Sequence, residues 1–262
     1  MTETDSDRGI TRILLALDAS ARGLAAMRAA AELAAGLRAE LDALFVEDIN
    51  LLRLAELPFA REVGFSSASG RPLGFEDLER TLRAQALRIQ ALLDEAAQRL
   101  HLQFRFNVAR GRVLPEVIAR AGGADLVVLG KAGNALAGRF ASPAHPARPV
   151  LAVFEGGERG YRVLSAALRV AAKSGRALTL LVPETNPRRY AEIRERAEDW
   201  LSRRGRKARL HQAAGKGMQD VIRALRGLRA DAVVLPIPRG GMSEEELGGL
   251  LDAVSCPLLL VR

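Results

Sequence analysis

The chain has 262 residues, of which 48% are hydrophobic, and its formal net charge is +8. This length fits two small domains, each with enough apolar residues to bury a core. No run approaches the roughly 20 apolar residues that cross a bilayer, and residues 1–12 lack the apolar centre of a signal peptide. Because Cys256 is the only cysteine, an internal disulfide is excluded, and we expect a cytoplasmic location.

The positive charge is concentrated in the second part of the chain. Residues 150–262 carry 20 Lys and Arg against 13 Asp and Glu, whereas residues 1–149 carry 19 against 18. The densest cluster, residues 203–209, is typical of a site for an anionic partner or of a solvated turn. No aromatic residue alternates with these charges as a platform for bases, so we expect no nucleic-acid partner.

Strands and helices alternate along the first part. Continuous apolar runs predict buried parallel strands at 13–17, 41–46 and 126–129, and alternating apolar residues predict another at 104–108. Apolar residues three and four apart predict helices at 23–37, 50–62 and 75–100. A loop rich in Ser and Gly, residues 65–74, is either a lid or partner-docking segment or a tolerated insertion.

The second part repeats the alternation more compactly. Helices are predicted at 161–174, 188–203 and 218–227, and strands at 177–182, 208–212 and 232–235. Strands that alternate with helices indicate parallel sheets with helices on both faces. We therefore predict an α/β fold of two tandem Rossmann-like domains, residues 1–149 and 150–262.

One pattern occurs in both parts, at residues 111–129 and 215–235. In each copy a Gly follows a strand, an acid followed by Val-Ile opens a short helix, and Ala-Asp precedes four apolar strand residues. A pattern repeated at this distance indicates a duplicated domain.

The repeated pattern resembles the last third of a universal stress protein domain. Residues 13–20 resemble the start of such a domain, and residues 256–261 resemble its final strand, as do residues 148–153 at the end of the first part. The resemblance implies a tandem member of the family with a nucleotide-binding α-hydrolase-like fold. It also implies dimerisation through final strands, which a tandem chain can make internally as an intrachain pseudo-dimer, with a homodimer as a further option.

The junction between the parts allows two interpretations. Residues 150–154 are predicted as the last strand of the first domain, yet a helix resembling the one after Asp18 begins only a few residues later. Either one strand serves both domains, or the second domain has lost its first strand.

The resemblance implies a partial ATP site in the first domain. Members that bind ATP carry an acid after the first strand, then Gly-x-x-Gly after the fourth strand, and further on a Gly followed by Ser or Thr. By this resemblance Asp18 is the acid, Val46 lines the base, and Gly130 and Gly133 supply the Gly-x-x-Gly. The last element is missing: Pro143-Ala144 stands in place of Gly-Ser, in a shortened, proline-containing segment, and Lys131, Arg139 and Ser142 are candidate replacements.

The second domain departs further from the ATP-binding pattern. Phe154-Glu155 replaces the acid, and residues 236–241 replace Gly-x-x-Gly with prolines that lack an amide donor. Residues 243–246, Ser-Glu-Glu-Glu, form a capping box whose acids would repel a phosphate. We therefore expect the second domain to be structural.

The remaining chemistry predicts no catalytic or metal-binding residue. His101, His145 and His211 lack metal or triad spacing, and Cys256 is interpreted as an inert packed thiol. We expect a non-enzymatic stress-response protein that acts through protein partners or self-association and binds no cofactor. The alternative is a nucleotide sensor that holds one ATP in the first domain. A third hypothesis, an ATP-using enzyme of the wider superfamily, is disfavoured because this sequence has no recognisable catalytic base or pyrophosphate loop.

Overall fold

A computed structural model describes residues 10–18, 23–57, 61–63, 70–72, 74–130 and 148–262. The strands of these residues are β1 (Arg12–Leu17), β2 (Glu40–Asp48), β3 (Arg61–Val63), β4 (Gly70–Pro72), β5 (Phe104–Gly111), β6 (Leu126–Leu129), β7 (Val150–Val153), β8 (Leu178–Val182), β9 (Ala208–Gln212), β10 (Ala232–Pro236) and β11 (Leu258–Val261). The helices are α1 (Gly23–Leu37), α2 (Ile49–Ala55), α3 (Phe75–Leu100), α4 (Val113–Ala121), α5 (Gly157–Ser174), α6 (Pro187–Ser202), α7 (Met218–Arg226) and α8 (Glu244–Ala253).

Nine strands form one sheet in the order β5-β2-β1-β6-β11-β10-β7-β8-β9. Neighbouring strands are parallel except β6 and β11, which are antiparallel. β3 and β4 form a separate antiparallel pair. The predicted fold class, a mainly parallel sheet flanked by helices, is confirmed, and the two parts of the chain contribute to one continuous sheet.

The interpretation of residues 150–154 as the last strand of the first domain is wrong. β7 lies between β8 and β10, with Val150 in register with both Leu178 and Ala232. Both edges of β7 are therefore occupied by strands of the second part, so it cannot also serve the first. The five strands of the second part lie together in the order β9-β8-β7-β10-β11. The strand beside β6, the last strand of the first part, is therefore β11.

Among the described residues, the helices form two core layers, one on each face of the sheet, and each layer contains strand residues from both parts of the chain. One core packs α1, α3, α5 and α6 against the strands. The other packs α4, α7 and α8. Since each core contains residues from both parts, the parts are packed as one body, and the boundary at residue 149 stays a prediction.

The aspartate of the repeated pattern has a structural role in both copies. The Asp125 carboxylate accepts hydrogen bonds from the Thr11 and Arg12 amides at 2.9 and 3.0 Å, which holds the start of β1 beside β6. Burial raises the pKa of Asp125, but these hydrogen bonds outweigh it and leave the pKa below its usual value. In the second copy Asp231 forms an ion pair with Arg176 at 2.7 Å. The aspartate of the repeat therefore helps to fix strand positions in both copies.

Helix α2 ends earlier than predicted. The sequence predicts a helix over 50–62, whereas α2 ends at Ala55, with Glu56 as its C-cap. Pro58 follows in the sequence and disfavours helical geometry for the residue before it.

In the part of the chain that the structure describes, no helix combines the length and the apolar character that a membrane span requires.

Candidate ligand clefts at the carboxyl ends of the strands

Three of the four residues predicted for an ATP site lie together at the carboxyl edge of β2, β1 and β6. The register pairs Leu17 with Phe45 and Ala16 with Leu129, so Asp18 follows opposite Val46, and Gly130 follows opposite Leu17. Val46 is buried and Asp18 is half-buried. The fourth residue, Gly133, lies outside the described residues, as do Lys131, Arg139, Ser142 and Pro143-Ala144.

The first cleft lies in the second part, which the sequence predicts to be structural. It has a volume of about 710 Å³ and opens between the carboxyl ends of β7 and β10. This is the point where the strand order of the second part reverses, and ligands of doubly wound sheets bind at such points. We call it the β7–β10 cleft; its polar lining residues are Glu155, Glu158, Arg159, Arg162, Lys216 and Arg239.

A double-glycine turn forms the floor of the β7–β10 cleft. Gly156 and Gly157 have φ angles of +76° and +67°, which favour glycine, and they turn the chain from β7 into α5. Phe154, two residues before Gly156, is fully buried, and its ring lies against Gly160. A Cβ atom on Gly160 would lie 3.0 Å from that ring. Phe154 therefore packs against the start of α5.

The β7–β10 cleft carries an excess of positive charge. Four cationic side chains line it against two acidic ones. Arg162 pairs with Glu158 at 2.6 Å, and Lys216 pairs with the buried Glu184 at 2.7 Å. The Arg162 Nε atom is buried and has no hydrogen-bond acceptor among the described residues.

Two carboxyl groups near the cleft have shifted pKa values of opposite sign. Burial raises the pKa of Glu155, and the nearby Arg159 opposes that shift. The hydrogen bond from Lys216 lowers the pKa of Glu184, helped by a second one from the Asn186 amide. Glu184 is therefore an ionised partner for Lys216, whereas the partly buried Glu155 is the less costly of the two to protonate.

A second cleft adjoins the first across the double-glycine turn. It has a volume of about 490 Å³ and shares Glu155, Gly156 and Gly157 with the β7–β10 cleft. Its far wall is the start of α6, with Arg188, Arg189 and Arg196 among the lining residues. Basic side chains therefore flank the turn on both sides, which gives an extended ligand two adjoining positions for negative charge.

The capping box of α8 is confirmed, but its acids do not line the β7–β10 cleft. The Ser243 hydroxyl accepts a hydrogen bond from the Glu246 amide at 3.1 Å, and the Glu246 carboxylate accepts one from the Ser243 amide at 3.0 Å. Glu244 forms an ion pair with Arg112 at the start of α4. The repulsion expected from the sequence therefore acts elsewhere, because these acids face their own helix end and the first part of the chain.

Sequence reasoning missed the β7–β10 cleft because its residues are scattered. Arg159, Lys216 and Arg239 come from three different connections and meet only through the order of the strands. The local signal was the Gly156-Gly157 pair shortly after an apolar strand, followed by two arginines three residues apart, Arg159 and Arg162.

The remaining candidate residues lie apart from the clefts. His101 ends α3 in the left-handed conformation, His211 lies on the edge strand β9, and His145 is outside the described residues. Among the described residues, no group of three or more His, Cys, Asp or Glu side chains is placed to hold a metal ion. Burial raises the pKa of Cys256 to about 12, so its thiol stays protonated at neutral pH.

No protein-family model and no curated protein matches the chain. A universal stress protein from Archaeoglobus fulgidus DSM 4304 has a similar structure, with a TM-score of 0.55 and 12% identity over 96% of this chain and 98% of that chain. A candidate universal stress protein from Pseudomonas aeruginosa UCBPP-PA14 gives a TM-score of 0.49 and 15% identity over 96% and 93%. The first of these likenesses covers nearly all of both chains and shows that this chain has the fold of a universal stress protein.

Proposed function

We propose that this chain is a universal stress protein-like protein that acts in a cytoplasmic stress response by binding, without enzymatic turnover, and through protein partners. The observation that carries the proposal is the β7–β10 cleft, which is open, cationic and situated where this fold accommodates ligands. Its ligand in this proposal is a small phosphate-bearing molecule, and ligand binding alters what the partners recognise.

The charges of the cleft support a phosphate-bearing ligand. Arg159 and Arg239 line the cleft, and neither forms an ion pair with a described residue, although Arg159 lies near enough to Glu155 to oppose the rise of its pKa. The Arg159 guanidinium donates to the Ile237 carbonyl at 3.3 Å, which orients it along the cleft wall. Arginine matches phosphate oxygens well because its planar donors bind two of them at once.

Titration of pyrophosphate, ADP and ATP by calorimetry tests this proposal. The double variant Arg159→Gln/Arg239→Gln removes two charges from the cleft, and Arg206→Gln/Arg209→Gln removes two from the turn and strand beyond α6. We expect saturable binding to the parent and to the control, and affinity at least tenfold lower in the cleft variant, a loss of about 1.4 kcal/mol or more. Equal binding by both variants, or no binding at all, would contradict the proposal.

The second candidate is an adenine nucleotide in the first part. It is favoured by the shared register position of Asp18, Val46 and Gly130 at one edge of the sheet. The same calorimetry distinguishes the two sites. ATP binding that is lost in Asp18→Ala but kept in Arg159→Gln/Arg239→Gln would assign the ligand to the first part, and the opposite result would assign it to the β7–β10 cleft.

Protein partners are proposed to dock on the exposed side of α2. Leu51, Leu54 and Leu57 are 39%, 52% and 40% exposed, an unusual concentration of leucine on so short a segment. In the same proposal β11 and β6 make the antiparallel pairing within the chain, as an intrachain pseudo-dimer. The α2 surface then remains for a partner or for a second copy.

Sedimentation velocity and chemical crosslinking in extracts test the α2 surface. We expect Leu51→Gln/Leu54→Gln to reduce association, because it removes apolar area that a partner would bury. Leu87→Gln is the control, since Leu87 is 67% exposed on α3. Association that survives the α2 variant unchanged would place the partner surface elsewhere.

A further inference from the structure

A third cleft lies on the seam between the two parts of the chain. On one face of the sheet α1 packs on β1, β2 and β6, and α5 packs on β7, β10 and β11. Between these two helices an opening of about 310 Å³ descends toward the sheet. We call it the seam cleft, and it shares no lining residue with the β7–β10 cleft.

The floor of the seam cleft is apolar. Leu33 of α1 and Val170 of α5 form its walls, and Val150 and Leu259 form its base. Val150 and Leu259 are each only 1% exposed, so the base is continuous with the core. An opening of this kind favours an apolar chain, because burying such a chain removes its surface from water.

Charged side chains surround the mouth of the seam cleft. Arg28, Glu32, Lys173, Arg176 and Asp231 lie around it. Arg176 and Asp231 neutralise each other at 2.7 Å. Arg28 and Lys173 make no ion pair with a described residue, so with Glu32 the mouth keeps one net positive charge.

Lys173 is positioned across the opening. Its Nζ atom lies 3.6 Å from where a Cβ atom on Gly36 would stand, in the last turn of α1. A helix C-terminus has negative partial charge and attracts an ammonium group. Lys173 therefore reaches from α5 to α1 and holds its charge at the mouth.

We propose that the seam cleft binds a medium-chain carboxylate, with the apolar chain on the floor and the carboxylate beside Lys173 at the mouth. The apolar base, the single net positive charge at the mouth and a volume at the lower end of the range for small-molecule sites all match such a ligand. Because one wall comes from each part of the chain, the ligand joins the two parts.

Calorimetric titration of octanoate and decanoate into the full chain, below their micelle concentrations, tests this proposal. We expect one saturable site, at least tenfold weaker binding in Lys173→Gln, and unchanged binding in the control Lys207→Gln. Methyl decanoate, which has the chain without the charge, should bind at least tenfold more weakly than decanoate. Val170→Phe fills the cleft and should abolish binding, with circular dichroism melting used to show that each variant folds.

Three results would overturn the proposal. The first is the absence of saturable binding of either carboxylate to the folded parent chain. The second is binding that neither Lys173→Gln nor Val170→Phe changes. The third is binding only to phospholipid vesicles, with none to the free carboxylates, which would assign the surface to a membrane.

Discussion

Gly160 is the residue at which helix preference and core packing conflict most directly. It lies in the first turns of α5, where alanine is favoured over glycine by about 1 kcal/mol. Its missing Cβ atom would lie 3.0 Å from the fully buried Phe154 ring, which also contacts Tyr161 edge-on at 5.5 Å. The ring has little room to move, so packing should decide the outcome.

We expect Gly160→Ala to lower the free energy of unfolding by about 1 kcal/mol, because overpacking a core typically costs ~1–3 kcal/mol and exceeds the helix gain. Gly248→Ala is the matched control: a Cβ atom on Gly248 in α8 would meet Leu114 at an ordinary 3.6 Å. That variant should raise the free energy of unfolding by about 0.5–1 kcal/mol. Urea unfolding measures the free energy of unfolding of both variants. A higher free energy in both would show that the Phe154 ring moves to accommodate the new methyl group.

Glu184 should make stability depend on acid pH. It is 4% exposed and accepts hydrogen bonds from Lys216 at 2.7 Å and the Asn186 amide at 2.9 Å, which lower its pKa below the ordinary 4.5. A pKa lowered in the folded state stabilises the protein above the unfolded-state pKa. That contribution is lost as pH falls through the folded-state pKa.

Glu184→Gln should therefore flatten the fall of stability below about pH 4.5, the ordinary pKa of the group. The free energy of unfolding of parent and variant, measured in urea between neutral and acid pH, provides the test. Glu195→Gln is the control, since Glu195 is exposed on α6. Equal acid slopes in the parent and both variants would mean that Glu184 is not the group responsible.

At the scale of the element, α8 depends on a single capping residue. Ser243 accepts the Glu246 amide hydrogen bond and thereby satisfies a donor that the helix itself leaves unpaired. We expect Ser243→Ala to reduce the free energy of unfolding by about 1 kcal/mol. Ser255→Ala, at an exposed position after α8, should change it little. Equal urea midpoints for parent and Ser243→Ala would show that the cap is dispensable.

The elements also show which local patterns predict structure well. The apolar runs at 13–17 and 126–129 correspond closely to β1 and β6, because a strand buried on both faces needs uninterrupted apolar residues. The capping box of α8 was likewise readable, since its hydrogen bonds join residues three apart. The sequence did not predict which strands β7 pairs with, because a four-residue apolar run is the same pattern whether the strand pairs with β6 or with β8.

At the scale of the whole molecule, the two parts should unfold together. β11 lies between β6 of the first part and β10 of the second, and Leu258 is in register with Leu129 on one side and Val233 on the other. Leu258 is fully buried. We expect Leu258→Ala to cost about 2–5 kcal/mol, the usual loss for a buried leucine.

Because the cores are shared, that loss should appear in both parts. Trp200 fluorescence reports on the second part, and hydrogen exchange of the Leu15 amide in β1 reports on the first. In Leu258→Ala, the unfolding transitions that these two probes follow should both shift to lower urea concentration by the same amount. A shift at Trp200 with unchanged exchange at Leu15 would instead mean two independent domains, as the boundary at residue 149 predicts.

The sequence by itself determined the α/β class and the positions of most strands and helices, because these follow from apolar periodicity and from contacts between residues near in sequence. The repeated pattern also predicts a duplicated domain. The tertiary structure alone decided that β7 belongs to the second part and that β11 closes the sheet against β6. It alone placed the clefts, since Arg159, Lys216 and Arg239, or Leu33 and Val170, are distant in the chain. Strand order is set by burial summed over the whole sheet, and a local sequence pattern does not specify which strands will be neighbours.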